Sequence, residues 1–216
     1  MNKPILSWNV TDDVALAAQL LVQNKLIIGS TDTVFGFFSA ATAEGVAALN
    51  KAKGRQNKPY ILLASSKAEI IKHINGDQLF HIENILDTLW PGPLTIIFKA
   101  ADTAPAYLCA ADGTLSFRIP DHAGIQELLR SVPLIFSTSA NRSGMPVACS
   151  VQEIDPELMS CVQAVIIDDR NNKHNSLPST ILDCSKVATG VITIVREGAI
   201  TRDQISALVP VGVQLL

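Results

Sequence analysis

The chain has 216 residues, of which 48% are hydrophobic and 17% are charged, and its formal net charge is -3 at pH 7. These values supply enough apolar side chains for a sizeable core, exclude intrinsic disorder and argue against non-specific coating of nucleic acid. No apolar run approaches the roughly 18 residues of a membrane span and no secretory signal is visible, so we expect a cytoplasmic protein with no membrane contact.

Hydrophobic periodicity predicts helices and strands in alternation along the chain. In chain order we expect helix 11–21, strand 26–29, helix 42–52, strand 60–65, helices 66–74 and 77–89, strands 94–98 and 114–119, helix 121–129, and strands 133–136, 164–168, 179–183 and 191–195. The expected caps are Thr11 and Asp121 at helix starts, Gly54 at a helix end, and capping boxes at Ser150 with Glu153 and at Thr201 with Gln204. Several strands are wholly apolar and no linker interrupts the pattern, which predicts one α/β domain.

A cluster of basic residues follows the second predicted helix. Between positions 51 and 72 the chain carries six basic residues and one acidic residue, namely Lys51, Lys53, Arg55, Lys58, Lys67, Lys72 and Glu69. At the junction of a helix and a loop, Arg can bind phosphate as a planar fork and Lys as a point charge. Basic residues also favour helix C-termini because of the helix dipole, so an anion site and ordinary helix chemistry both fit this cluster.

Small polar residues follow two of the predicted strands, at 30–33 and at 137–141. Ligands of open α/β sheets bind where strands end, but the same residue types are common in turns that bind nothing. Arg118 lies in an apolar predicted strand, where a buried guanidinium needs an anionic partner. A ligand carboxylate or a structural Asp or Glu would serve equally.

The common catalytic and nucleotide-binding motifs are absent from the sequence. There is no GxxxxGKS/T loop, no GxGxxG after a strand, no GxSxG and no HExxH. Cys109, Cys149, Cys161 and Cys184 form no CxxC pair and show no zinc spacing with the four histidines, so we expect reduced, buried thiols and no metal site. From the residues alone, the sequence predicts an α/β domain with a candidate anion pocket.

Several short segments occur in an order that resembles one known family. They are KGR at 53–55, Lys58-Pro59, LWPGPLT at 89–95, TLSFRIPDH at 114–122, STSANRSG at 137–144, PSTILD at 178–183 and IVREG at 194–198. Together they resemble the YrdC/Sua5 family, the threonylcarbamoyl-AMP synthases of tRNA modification. The resemblance is to the short bacterial form, so we expect a YrdC-like domain over 8–200, with 201–216 as its C-terminal helix and tail.

The resemblance implies a single-domain α/β fold, a twisted mixed or parallel sheet with helices and a basic concave face. It implies a nucleotidyltransferase that joins L-threonine, bicarbonate and ATP, with Mg²⁺, into L-threonylcarbamoyladenylate and releases pyrophosphate. Partner proteins of the TsaB, TsaD and TsaE type then pass the threonylcarbamoyl group to N6 of adenosine 37 in tRNA, the t6A modification. Direct contact with tRNA is left open.

The resemblance also implies roles for individual residues. Catalytic roles fall to Lys53 and Arg55. ATP contacts fall to Arg55, Lys58, Thr114, Asn141, Cys149 and Arg196. Threonine contacts fall to Thr31, Thr33, Arg118, Ser139 and Ser179, with Arg118 meeting the carboxylate, and no residue is implied as a metal ligand.

Some positions depart from the family pattern. Ser30 stands where the pattern has Pro, Phe35 where it has Tyr, and Cys149 where a Thr often helps to bind ATP. The main alternative function is a non-catalytic protein that binds double-stranded RNA or tRNA with the same basic face, which predicts salt-dependent affinity and no need for threonine. A related carbamoyl-adenylate activity, as in hydrogenase maturation factors, normally occurs in a longer chain with zinc-finger-like cysteines, which are missing here.

Overall fold

The computed structural model of the chain describes residues 3–54, 59–142, 144–168 and 176–216. The strands in these ranges are β1 (Ile5–Ser7), β2 (Ile27–Gly29), β3 (Gly36–Ala40), β4 (Ile61–Ala64), β5 (Leu94–Lys99), β6 (Thr114–Arg118), β7 (Leu134–Ser139), β8 (Ala164–Ile167), β9 (Thr180–Asp183), β10 (Val191–Arg196) and β11 (Gln214–Leu215). The α-helices are α1 (Thr11–Val22), α2 (Ala43–Lys53), α3 (Lys67–Ile71), α4 (Asp77–Phe80), α5 (Glu83–Leu89), α6 (Ala123–Ser131), α7 (Pro156–Ser160) and α8 (Arg202–Ser206).

These strands form one mixed sheet with the spatial order β1-β8-β2-β3-β7-β4-β6-β5-β9-β10-β11. The parallel neighbours are β1–β8, β8–β2, β4–β6, β5–β9 and β10–β11. The remaining neighbours are antiparallel. The predicted α/β class with a mixed sheet is therefore confirmed.

Helices cover apolar surface on both faces of the sheet. Successive residues of a strand point to opposite faces. Phe37 and Leu62 accordingly join a larger apolar core, while the next residues, Phe38 and Leu63, join a smaller one. The larger core takes buried side chains from α2, α3, α4, α5, α7 and α8, and the smaller one from α1 and α6. Burial on both faces explains why several strands are wholly apolar. No helix in the described ranges is long and apolar enough to cross a membrane.

Each predicted strand overlaps an observed one, but two of the predicted helix caps are wrong. The N-cap of α1 is Val10, which offers no side-chain cap, and Thr11 is already the first helical residue. His122 caps α6 in place of Asp121, because its Nδ1 accepts the backbone N–H of Ile125 at 3.2 Å. Gly54 is confirmed as the C-cap of α2, with φ at 57° in the left-handed region that glycine tolerates.

Two further predictions about helices need correction. The stretch 77–89 forms α4 and α5 rather than one helix, since Ile82 leaves the helical region at φ -130° and is fully buried in the larger core. Ser150 and Glu153 begin no α-helix: the Ser150 hydroxyl donates to Glu153 at 3.0 Å across a short 3-10 turn. The capping box of Thr201 and Gln204 is confirmed at the start of α8.

Three strands were not predicted: β1, β3 and β11. β3 is buried along its whole length. Its sequence, GFFSA, shows neither apolar–polar alternation nor a run of β-branched residues, the two local patterns that predict a strand. It is held by antiparallel pairing to β2 on one side and β7 on the other. Such pairing is a non-local interaction that a local pattern does not reveal.

The expectation for the cysteines holds only in part. All four thiols are free, as expected, but Cys161 is exposed and Cys184 alone of the four is buried. Burial is the main cause that raises the pKa of Cys184 above its usual range, and the Asp183 carboxylate adds to the shift.

We expect Gly124→Ala to destabilise the protein by about 1–3 kcal/mol. An alanine in a helix normally stabilises it by up to about 1 kcal/mol relative to glycine. Here a Cβ on Gly124 would lie 2.6 Å from the Cβ of Trp8, a buried residue that cannot move aside. The matched control is Gly76→Ala, whose Cβ would meet its nearest atom at 4.0 Å. Denaturant unfolding of the two variants measures the difference, and equal free energies of unfolding would contradict this account.

Candidate active site

A cavity of about 380 Å³ lies on the face of the sheet that carries the smaller core. Cross-strand partners point to the same face, and Leu63 is the partner of Arg118 in β6 and of Ile135 in β7, while Ile61 is the partner of Ser137. None of the residues that line the cavity belongs to α1 or α6. The cavity therefore occupies a part of this face that the two helices leave open.

The turn after β2 forms one wall of the cavity. The Thr31 hydroxyl donates to the Val34 carbonyl at 2.7 Å and accepts the backbone N–H groups of Thr33 and Val34, each at 3.0 Å. Its proton is thereby used, so Thr33 must be the donor in the 3.0 Å contact between the two threonine hydroxyls. Both hydroxyls are thus engaged in holding the turn.

Arg118 is tied to this turn by a buried ion pair. Its Nη2 lies 2.5 Å from Oδ2 of Asp32, and its Nη1 donates to the Thr33 hydroxyl at 2.8 Å. Its Nε donates to the Gly92 carbonyl at 2.9 Å. Burial lowers the pKa of Arg118, and the neighbouring Asp32 carboxylate opposes that shift. The anionic partner of Arg118 in the structure is therefore a protein side chain, one of the two alternatives that the sequence left open.

The opposite wall is built from the start of β9 and the end of β10. The buried hydroxyls of Ser179 and Thr95 lie 2.9 Å apart. Arg196 donates from Nη2 and Nε to the Ser179 carbonyl, at 2.7 and 3.2 Å, and has no ion pair with an acidic residue among the described residues. Partial burial lowers the pKa of Arg196, and the positive charge of Arg118 lowers it further. The cavity therefore places an uncompensated cation near a second guanidinium, which favours an anionic ligand.

A third wall is the turn from Ser139 to Asn141, which we call the SxN turn. The Ser139 hydroxyl donates to Oδ1 of Asn141 at 2.5 Å, and both residues line the cavity. Lys53, at the end of α2, donates its ammonium to the carbonyls of Ser139, at 2.8 Å, and Asn141. Lys53 itself is not among the cavity-lining residues, so it holds the SxN turn from behind.

The structure brings together many of the predicted site residues. Those that line the cavity are Thr31, Thr33, Arg118, Ser139, Asn141, Ser179 and Arg196. Thr114 and Cys149 do not line it: the Thr114 hydroxyl donates to Asp112 at 2.7 Å, and Cys149 contacts the Val147 carbonyl through its thiol. Arg55 and Lys58 lie outside the described residues, so the basic concave face stays a prediction.

Sequence reasoning missed Asp32 and Thr95 as parts of the site. A signal for Asp32 was available, because Arg118 called for an anion and Asp32 stands between two predicted threonine-binding residues. Thr95 gave no signal beyond its place in the LWPGPLT segment. As for metals, no group of three or more His, Cys, Asp or Glu side chains in the described ranges is placed to bind an ion.

Ser30, one of the three departures from the family pattern, is buried next to the turn that forms the first wall. Its hydroxyl accepts the indole N–H of Trp8 at 3.1 Å and the backbone N–H of Asp168 at 3.1 Å. Its own backbone N–H donates to the Ile166 carbonyl at 3.0 Å. Ser30 therefore joins the ends of β1, β2 and β8.

Comparisons with known proteins agree on one family. The family model Sua5_yciO_yrdC, described as "Telomere recombination", matches residues 19–198. A relative from Methanocaldococcus jannaschii, named "Putative threonylcarbamoyl-AMP synthase", is 36% identical over 182 residues. The match covers 83% of each chain. The threonylcarbamoyl-AMP synthase of Bacillus subtilis is 27% identical over 199 residues, 91% of this chain but 56% of its own length.

A solved structure shares the fold. Sua5 of P. abyssi, complexed with L-threonine, superimposes with a TM-score of 0.84 at 21% identity. The match covers 100% of this chain and 63% of Sua5. This chain thus spans somewhat more than half the length of these two longer relatives.

We expect Arg118→Met to lower the free energy of unfolding by about 3–5 kcal/mol, because it leaves the Asp32 carboxylate buried without its cation. Arg130→Met serves as the control, since Arg130 pairs with Glu127 on an exposed helix surface and its side chain is 77% exposed. The control is expected to change stability by no more than about 0.5 kcal/mol. Urea unfolding gives both values, and a small loss for Arg118→Met would show that the pair does not stabilise the fold.

Proposed function

The chain belongs to the Sua5/YciO/YrdC family, and from this premise we propose that it is an L-threonylcarbamoyladenylate synthase. This enzyme, a nucleotidyltransferase, converts L-threonine, bicarbonate and ATP into threonylcarbamoyl-AMP and pyrophosphate. One observation carries the proposal: the Thr31–Thr33 turn, Arg118, the SxN turn and the Ser179–Arg196 wall surround one cavity. Its volume of about 380 Å³ lies within the range of small-molecule sites.

We assign the threonine end of the cavity to the wall around Arg118. Nη1 of Arg118 keeps one hydrogen for a carboxylate besides the one it donates to Thr33, whereas Nη2 is buried against Asp32. Ser139 and Ser179 offer hydroxyl oxygens within the same cavity. Since the Thr31 and Thr33 hydroxyls are engaged in the turn, we propose that these two residues act mainly by shaping the wall.

The proposed chemistry needs no protein nucleophile. The amine of threonine takes up CO₂ from bicarbonate to give a carbamate, and a carbamate oxygen attacks the α-phosphorus of ATP while pyrophosphate leaves. The protein's part is to orient the reactants and to place cations where negative charge develops. Arg196 fits this role because it forms no ion pair with an acidic side chain in the part of the chain that the structure describes. We propose Arg55 as a catalytic residue and Lys58 as an ATP contact on the family pattern alone.

We propose that Asn141 and Arg196, which line the cavity, bind ATP. Thr114 and Cys149 do not line the cavity, so they would contact only a part of ATP that extends beyond it. Mg²⁺ supplies charge neutralisation on the phosphates when bound. Because the described residues hold no cluster of acidic ligands, we expect Mg²⁺ to be bound by ATP itself.

The adenylate is reactive and must be consumed by a transferase. We propose that TsaB-, TsaD- and TsaE-like proteins receive it and modify adenosine 37 of tRNA in the cytoplasm, where ATP and tRNA are present. We propose that a YrdC-like domain covers residues 8–200 and that 201–216 form the C-terminal part of the same domain. In support, Ile205 of α8 packs into the larger core and β11 pairs with β10.

We expect the purified protein, with Mg-ATP and bicarbonate, to release pyrophosphate when L-threonine is added. L-serine, which lacks one methyl group, is expected to support at least about tenfold less release. Omission of bicarbonate should abolish the threonine-dependent release. If pyrophosphate is not released while tRNA binds with steep salt dependence, the non-catalytic RNA-binding function would replace this proposal.

Lys53→Met should reduce kcat/KM for pyrophosphate release by about 10- to 100-fold, because the SxN turn loses the ammonium that binds its two carbonyls. We propose Lys53 as a positioning residue rather than as a catalytic one, since its ammonium is already engaged. Lys51→Met is the matched control: it lies two residues earlier on α2 and is exposed. Equal activity of the two variants would remove Lys53 from the mechanism.

A further inference from the structure

Asp32 lies in the cavity wall around Arg118, which we assigned to threonine, although neither the sequence motifs nor the comparisons give Asp32 a role. Its Oδ2 is 2.5 Å from Nη2 of Arg118 and accepts the backbone N–H of Asp121 at 3.1 Å. Asp32 follows β2, while Arg118 and Asp121 come at and after the end of β6. The carboxylate therefore joins two segments that lie far apart in the sequence.

Both oxygens of this carboxylate are withdrawn from a ligand. Oδ2 is engaged by Arg118 and Asp121, and Oδ1 is buried and accepts no hydrogen bond from any described residue. A substrate in the cavity has no direct access to Oδ1. A direct contact between Asp32 and the substrate is therefore disfavoured, and any effect of Asp32 must be transmitted through Arg118.

Three separate contacts orient Arg118. Nε donates to the Gly92 carbonyl and Nη1 to the Thr33 hydroxyl, while Nη2 forms the ion pair with Asp32, the charged partner of the three, without hydrogen-bond geometry. The contact with Asp32 is therefore the one in which opposite charges attract each other, and the two neutral acceptors do not replace that attraction. Without Asp32, the guanidinium would keep its two neutral partners but would lose the charge that holds Nη2 in place.

We propose that Asp32 is a positioning residue for the reaction: it fixes Arg118 so that the guanidinium binds the substrate's carboxylate, and it does so without touching the substrate. This inference rests on the proposed function. It assigns Asp32 to substrate affinity rather than to the chemical step. The loss of Asp32 should therefore raise KM for L-threonine and leave kcat nearly unchanged.

The test compares wild type with Asp32→Asn, which keeps the size of the side chain and removes its charge. We expect KM for L-threonine to rise by about tenfold or more, and kcat to change by less than about threefold. The inhibition constant of 3-hydroxybutyrate, which keeps the carboxylate but lacks the amine, should rise by the same factor. Asp32→Glu, which keeps the charge, should regain most of the affinity.

Several results would overturn the proposal. A loss confined to L-threonine, with 3-hydroxybutyrate unaffected, would mean that Asp32 binds the amine directly. Unchanged or tighter binding in Asp32→Asn would mean that it only offsets the charge of Arg118. Should Asp32→Asn fail to fold, Asp32→Glu still tests the idea: because it keeps the charge, both constants should stay near their wild-type values, and a rise of about tenfold or more in either would overturn the proposal.

A substrate-free measurement separates this proposal from the proposed function. The Nε–H of Arg118 donates to a buried carbonyl, so its NMR signal should exchange slowly in wild type and shift or broaden in Asp32→Asn. An unchanged signal would overturn the positioning role whatever the substrate is. Absence of threonine-dependent pyrophosphate release in wild type, with the signal still lost in Asp32→Asn, would contradict the proposed function alone.

Discussion

The ion pair between Arg118 and Asp32 is the constraint on which the site depends. A guanidinium with 5% exposure needs a compensating charge, and the chain provides it from the turn after β2. In the sheet, β3, β7 and β4 lie between β2 and β6, so the pair spans three strands. The ion pair thereby holds the turn in place as one wall of the cavity. The Thr31 and Thr33 hydroxyls also hold the turn, through the hydrogen bonds within it.

The mixed order of the sheet explains how distant segments meet at this cavity. β7 pairs with both β3 and β4, so the SxN turn at its end lies beside the starts of those two strands. Helix α2 follows β3 and ends at Lys53, whose ammonium returns to the SxN turn. Lys53 of the basic segment and the small polar residues of the SxN turn, which the sequence suggested as parts of two separate features, thus meet at one wall of the cavity.

The fold class, the sheet type and most strands could be predicted from the sequence, because apolar runs in covered strands are a local signal. β3 could not, since its stability comes from pairing on both sides rather than from its own pattern. The cavity residues were mostly identified through the motifs of a known family. The sequence showed that Arg118 needs an anion and that Asp32 lies between two predicted site residues, but the partner lies 86 positions away, so the pairing itself became visible only with the register of the strands. Lys53 was identified, but its engagement with backbone carbonyls was not foreseeable.

Ser30, which stands where the family pattern has proline, changes the bonds between strand ends beside the cavity. A proline at this position would have no N–H for Ile166 and no hydroxyl for Trp8 and Asp168. The indole N–H of Trp8 also donates to the Ser30 carbonyl at 3.1 Å, a bond that a proline would keep, so the bonds to Ile166 and Asp168 are the ones that distinguish serine from proline. With proline at this position, the ends of β2 and β8 would lose both of these bonds, while the link from Trp8 to the end of β2 would remain. The serine thus gives this chain two cross-strand bonds beside the cavity that the residue of the family pattern would not form.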